Sequence, residues 1–190
     1  MVVALALATG AITGTVGLLS ERYGWNVPNY RNITNPLSGD ANVEGNAFAR
    51  ANAILREEEG YRTTAYLDSR GKLTIGIGHL VLAKDGIKLG QTISDAQVEA
   101  FFAVDAQKAF QAAIRQAKEC SRYNVEMIAR LTSVNFQLGT NWTSEFVNTW
   151  SLIKSGKSVA AIKKLQASAW AQQTPQRVAA FVTTLQNQFA

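Results

Sequence analysis

The sequence predicts an α+β chain, mainly helical, with one small β-hairpin region and an apolar helix ahead of it. Three observations carry this. Residues 61–80, "YRTTAYLDSRGKLTIGIGHL", alternate as two strands about a turn. From residue 95 onward, apolar residues recur at helical spacing in stretch after stretch. Residues 1–20, "MVVALALATGAITGTVGLLS", contain no charged side chain.

The first of these elements in chain order is the uncharged segment. About 20 helical residues span the apolar core of a bilayer. Thr9, Thr13 and Thr15, with Gly10, Gly14 and Gly17, dilute the stretch, so residues 1–20 read as a weakly apolar, membrane-inserting segment. A helix packed in the protein's own fold is the main alternative. A cleaved signal is disfavoured, because no basic region precedes the apolar run. Gly10 and Gly14 stand four apart, a spacing that lets helices approach closely. Residues 21–45 are rich in Asn, Gly and Pro and read as a linker or arm.

From residue 46 the pattern is helical, with Phe48, Ala51, Ile54, Leu55 and Glu58 on one face. Gly60 supplies the expected stop, which makes Glu59 the last helical residue. Asp68 and Gly71 then mark a turn between the two strands. Alternation sets Leu73, Ile75 and Ile77 on one side and Thr74, Gly76 and Gly78 on the other. Two glycines on one face suit a close approach to the backbone or a bulge.

The remainder reads as helices. Ser94-Asp95-Ala96-Gln97 is a capping box opening a helix that bears Val98, Phe101, Phe102, Ala109, Ala113 and Ile114. A second helix covers 123–138 and ends near Gly139. Phe146, Trp150 and Ile153 predict a third, and Val159, Ile162, Leu165 and Trp170 a fourth. Thr174-Pro175 starts the last helix, whose stripe is Val178, Phe181, Val182, Leu185 and Phe189. All these stripes are expected in the core.

Composition narrows the function classes. With 190 residues, 47% apolar and 17% charged, the chain suits one domain with a sizeable core. Its net charge of +5 favours polyanionic partners. The lysines and arginines are scattered and no nucleic-acid-reading motif accompanies them, so no nucleic-acid partner is expected. One cysteine, Cys120, excludes an internal disulfide framework and a Cys-rich metal site. Cys120 lies in an apolar helical stretch and is expected to be buried.

The reactive side chains crowd into "EEEGYRTTAYLDSRGKLTIGIGHL", residues 57–80. Cleavage of a glycosidic bond needs a proton donor on the leaving oxygen and a carboxylate beside the developing positive charge. Glu59 and Asp68 supply two carboxyls, and the Thr74 hydroxyl can hold a water. Ordinary surface carboxylates fit the same letters. The specificity lies in the whole string.

That string resembles the catalytic hairpin of the phage lysozymes, glycoside hydrolase family 24: a Glu-Gly at a helix end, then an Asp, then Thr-Ile-Gly-x-Gly-His. "FQLG" at 136–139 and "QTPQR" at 173–177 are similar to two further family motifs, in the family's order. The likeness covers roughly 47–190. It implies a lysozyme-like two-lobe domain at 46–190, with a hairpin lobe carrying the active site and a helical C-terminal lobe. It implies Glu59 as general acid, Asp68 as the stabilising carboxylate and Thr74 as the residue that places water. Leu80, Phe136 and Gln137 become candidate substrate-binding residues. His79 resembles a structural histidine paired with an acid on the long helix, here Asp105. Arg177 resembles the arginine that pairs with the catalytic glutamate. Glu57 and Glu58 then fall to the helix surface.

The chain is short between His79 and Ser94, where a strand or loop of the family is expected to be missing. The implied activity is that of an endolysin cleaving the β-1,4 bond of peptidoglycan, as a monomer, without metal or cofactor. Residues 1–45 resemble the signal-anchor-release segments of secreted endolysins, which implies tethering at the inner membrane and later release to the periplasm. A virion-associated lysozyme for cell entry, or a membrane-active or wall-binding protein with little catalysis, are the alternatives.

Overall fold

The computed structural model describes residues 39–68 and 70–189. The expected membrane-inserting segment at 1–20 and the first part of the linker lie outside the described residues. Residues 39–45, read as linker, are already helical: α1 runs Gly39–Glu58. Asp40 in its first turn and Arg56 in its last suit the helix dipole. These favourable ends extend the helix seven residues ahead of the apolar periodicity.

The chain divides into two compact units. One spans Glu59–Asp105. Its sheet is antiparallel in the order β1 (Arg62–Leu67), β2 (Leu73–Gly76), β3 (His79–Leu80). The expected hairpin thus gains a third, two-residue strand. Tyr66 pairs with Thr74 and Leu67 with Leu73, and the register shifts between Arg62 and Tyr66. The segment after β3 forms a 3-10 turn, Ala83–Asp85. Residues 90–93 then return along β1, where Ile93 N–H donates to the Thr63 carbonyl at 2.9 Å and Ala65 N–H to Gln91 at 2.9 Å. This covers the outer sheet edge, which would otherwise offer unpaired backbone groups. Ala65, Ile75, Ile77, Ile93, Val98, Phe101 and Phe102 are buried here.

Gly76 is a packing glycine. Its φ is +68°, and a Cβ there would sit 3.2 Å from Val98 Cγ1. Of the two uses foreseen for this glycine face, close packing fits Gly76. Gly78, with φ +71°, is exposed.

The other unit, within the described residues, holds 39–58 and 106–189. Helix α2 (Asp95–Glu119) opens on the capping box: Gln97 N–H donates to Ser94 Oγ at 3.3 Å, and Ser94 N–H to Gln97 Oε1 at 3.0 Å. Helix α3 (Val125–Leu138) is capped by Asn124, whose side chain accepts from Met127 N–H. Then come α4 (Trp142–Glu145), α5 (Val147–Lys154), α6 (Ser158–Gln166), α7 (Ala169–Gln173) and α8 (Pro175–Gln188). The expected fourth helix is therefore two, α6 and α7, broken at Ala167 and Ser168. Ser168 caps α7 by accepting from Ala171 N–H at 3.2 Å.

Trp142 is fully buried and packs edge-on against Trp150 and Phe181, with centroids 5.5 and 6.0 Å away. Leu131, Ile153, Leu165, Val178 and Leu185 fill the same core. Val159, expected inside, is 82% exposed. It lies on the solvent side of α6, whose buried residues are Ala161 and Leu165. Cys120 is buried, and burial raises its thiol pKa to about 11.

Candidate functional site

The hairpin turn holds two of the expected residues through a single backbone group. Asp68 N–H donates to the Lys72 carbonyl at 2.9 Å, and Gly71 N–H to the Asp68 carbonyl at 2.9 Å. The Asp68 carboxylate turns back on the same loop, its Oδ1 accepting from Lys72 N–H and Arg70 N–H, both at 2.8 Å. These donors favour the ionised form, Lys72 N–H most of all, and hold the Asp68 pKa below its ordinary value. Thr74 Oγ1 donates to the Lys72 carbonyl at 3.1 Å. Its lone pairs remain acceptors. Lys72 thus ties Asp68 and Thr74 together. The pairing of Tyr66 with Thr74 sets position 68 on the same side of the ribbon as Thr74. Thr74 itself is buried, at 7% exposure.

Helix α1 ends at Glu58, so Glu59 stands one residue beyond it, half-buried, rather than as its last member. Gly60 does not take the left-handed conformation expected of a stop. The helix end is satisfied otherwise: Arg177 Nη2 donates to the Glu58 carbonyl at 2.9 Å.

Glu58 is not the surface residue the sequence suggested. Its Oε1 is 2.5 Å from Arg130 Nη1, and its Oε2 accepts from Ser133 Oγ at 2.5 Å. Arg177 Nη1 lies 3.9 Å from Oε2. The side chains of Glu58, Arg130 and Arg177 are 18%, 14% and 14% exposed. Arg177, expected to pair with Glu59, also engages both the backbone and the carboxylate of Glu58. Glu58 was read as a helix-surface residue, and Arg130 and Ser133 were not singled out by sequence. Their signal was a charge inside an apolar helical run: Arg130 interrupts 127–134, and Ser133 follows it by three.

His79 is buried and sits between two acids. Its Nδ1 is 2.6 Å from Asp105 Oδ2, and its Nε2 is 3.3 Å from Asp85 Oδ2. The ring stacks on Phe101 with centroids 4.1 Å apart. Burial pulls its pKa down, but hydrogen bonds and charge from Asp105 and then Asp85 outweigh this, leaving it raised. Asp85 was missed by sequence. It also accepts from Leu82 N–H at 2.7 Å, and its Oδ1 is buried without a partner among the described residues. The Asp85-Gly86 turn was its only signal.

Of the candidate substrate-binding residues, Leu80 is 44% exposed on β3. Phe136 and Gln137 are half-buried at the end of α3. Gln137 is already engaged at both ends of its amide: Oε1 accepts from Trp170 Nε1 at 3.0 Å, and Nε2 donates to Thr174 Oγ1 at 3.0 Å. It retains one amide N–H while linking α3 to α7 and the start of α8. Among the described residues, no group of three or more His, Cys, Asp or Glu side chains could hold a metal ion.

A mainly helical chain whose small antiparallel sheet carries this acid-bearing turn has a lysozyme-like α+β fold. The phage lysozyme family model matches residues 56–187, and the chain belongs to that family. It is 32% identical over 135 residues to peptidoglycan hydrolase gp36 of Pseudomonas phage phiKMV, a match covering 71% of this chain and 15% of that protein. It is 28% identical over 146 residues to probable T4-type lysozyme 1 of Dictyostelium discoideum, covering 65% of this chain and 86% of that protein. The chain thus spans most of the amoebal relative but a small part of the phage hydrolase.

Proposed function

We propose that the protein is a muramidase that hydrolyses the β-1,4 bond between N-acetylmuramic acid and N-acetylglucosamine in peptidoglycan, acting as an endolysin in host cell lysis. The observation that carries this reading is the family match, which runs through Glu59, Asp68, Thr74 and Arg177. The peptidoglycan hydrolase and lysozyme names of the relatives support the same substrate.

In this reading Glu59 donates a proton to the leaving glycosidic oxygen. Positive charge then develops on the sugar ring. Asp68 meets it as a carboxylate kept ionised by backbone N–H groups. Thr74 has its own proton committed to the Lys72 carbonyl, so its oxygen accepts a hydrogen bond from the attacking water. A water held between Asp68 and Thr74 passes a proton to the Asp68 carboxylate as its oxygen attacks the face opposite the leaving group, which inverts the anomeric centre. Residues 1–20 serve as a reversible inner-membrane tether, with the active enzyme in the periplasm. Their lack of charge and weak hydrophobicity support this.

The test is hydrolysis of purified peptidoglycan by wild type and Glu59→Gln, with the new reducing ends identified after borohydride reduction. The expected product ends in muramic acid, with the variant slower by roughly 10²–10⁴-fold or more. Glucosamine ends, or an active Glu59→Gln of normal fold, would overturn the assignment.

A further inference from the structure

We infer that Glu58 is a positioning residue for Glu59: Arg130 and Ser133 clamp its side chain, Arg177 holds its carbonyl, and together they fix the peptide bond from which the acid projects. This rests on the reading of Glu59 as the general acid.

The arrangement is costly unless it holds something. A carboxylate in the last turn of a helix faces the negative end of the dipole, where a cation is the favourable choice. Glu58 occupies that place as the final residue of α1, largely removed from water. Its neighbour Glu57 is exposed and bears no such constraint. Tolerance of the wrong sign at 58 follows from its partners. Arg130 reaches Oε1 at 2.5 Å and Ser133 reaches Oε2 at 2.5 Å, both from one face of α3. Arg177 arrives from α8 and supplies a second positive charge 3.9 Å from Oε2.

Arg177 also does something a side-chain ion pair cannot. Its Nη2 donates at 2.9 Å to the Glu58 carbonyl, one of the helix-end carbonyls that lack an intrahelical partner. That carbonyl belongs to the peptide whose nitrogen is that of Glu59. One planar peptide unit is therefore held through its oxygen, and the residue before it through both carboxylate oxygens. With Cα of residue 58 and the following peptide plane fixed, the position of the Glu59 Cα is fixed as well. A shift of about 1 Å in a reacting group can cost on the order of 10²-fold in rate, so an anchor one residue away is close enough to matter.

The same contacts also join α1 to α3 and α8, so a purely structural role is the competing account. The experiment separates them with Ser133→Ala, Arg130→Lys and Glu58→Gln, with Glu57→Gln as the exposed control and Glu59→Gln as the reference. For each, Tm is measured. Then kcat and KM are measured on soluble, uncrosslinked peptidoglycan strands well below the lowest Tm. A lost positioning role predicts kcat lower by roughly 10- to 100-fold in Glu58→Gln and Arg130→Lys, with KM unchanged, because geometry and not binding is altered. Ser133→Ala, which removes one oxygen from a folded helix, is expected to lose a smaller share of kcat, and Glu57→Gln none. Should Glu58→Gln fail to fold, Ser133→Ala and Arg130→Lys decide. Variants that melt early yet keep wild-type kcat, or that raise KM alone, overturn the inference while leaving Glu59 as the acid. An active Glu59→Gln would instead remove the reading on which it rests.

Discussion

Replacing His79 with Asn removes the ring that lies between two carboxylates, and the structure sets the size of the effect. Asp85 has a fully buried side chain, and His79 Nε2 lies 3.3 Å from its Oδ2. Breaking a buried pair by deleting one partner costs roughly 3–5 kcal/mol. The Asp105 half is 31% exposed, so solvent screens it and the lower end of that range applies. Lost stacking on Phe101 adds about 0.5–1.5 kcal/mol. The Asn amide returns about 1 kcal/mol by donating to one of the acids. The net loss is about 3 kcal/mol, or about 6–12 °C in Tm for a chain of this size.

The pH dependence of that loss follows from the raised His79 pKa. A group whose pKa is higher folded than unfolded contributes stability that is fully present below the unfolded value, about 6.5 for His. That contribution fades as pH rises through the folded value. The gap between wild type and His79→Asn should therefore be widest below the unfolded value of about 6.5 and narrow as pH rises above it. Thermal melts of both proteins across this range, with peptidoglycan turnover at a permissive temperature, form the assay. Most turnover should survive. A gap that does not change with pH, or a variant that melts normally but has lost turnover, would refute the structural role of His79.

Three further outcomes are expected. Gly76→Ala should lose roughly 1–3 kcal/mol in denaturant unfolding, from a left-handed backbone and a 3.2 Å approach to Val98, and an unchanged midpoint would contradict that geometry. Cys120, buried with a pKa near 11, should resist an aromatic disulfide reagent at about pH 8 until denaturant is added, whereas immediate reaction of the native protein would show the thiol to be open. Replacing Gly10, Gly14 and Gly17 with Leu should trap the protein in the membrane fraction and delay lysis, since each Leu favours insertion by about 0.3–0.6 kcal/mol. A wild type that never fractionates with membranes, even just after synthesis, would end the tether reading.

What the sequence made legible were features with a strict local rule. A period of two and a turn of Asp and Gly specify the hairpin and the side on which Thr74 lies. Reciprocal bonds at Ser94 and Gln97 are encoded by their spacing alone. Elements below one period were not legible. The strand His79–Leu80 has two residues and the helix Trp142–Glu145 has four, yet the latter carries the fully buried Trp142. Periodicity also cannot say how wide a buried stripe is, which is why Val159 was expected inside when α6 buries only a narrow strip.

Glu58 was lost for a different reason. Its place on the face of Ala51, Ile54 and Leu55 was readable from helical spacing, and that face packs against α3, where Ala129 joins Ala51 and Ile54. Residue type argued the other way, because carboxylates are seldom buried. The two arguments meet only if a partner exists, and the partner was visible as a parallel conflict: Arg130, a cation in the most apolar part of another helix. Two charges of opposite sign, each on the buried face of its own helix, are individually improbable but tolerable together, since their attraction offsets part of the desolvation cost that each would bear alone. Periodicity places a residue, and charge then states what that place must contain. Where the two disagree in two helices at once, the disagreement is itself the contact, and here it lies one peptide bond from the residue proposed to be the acid.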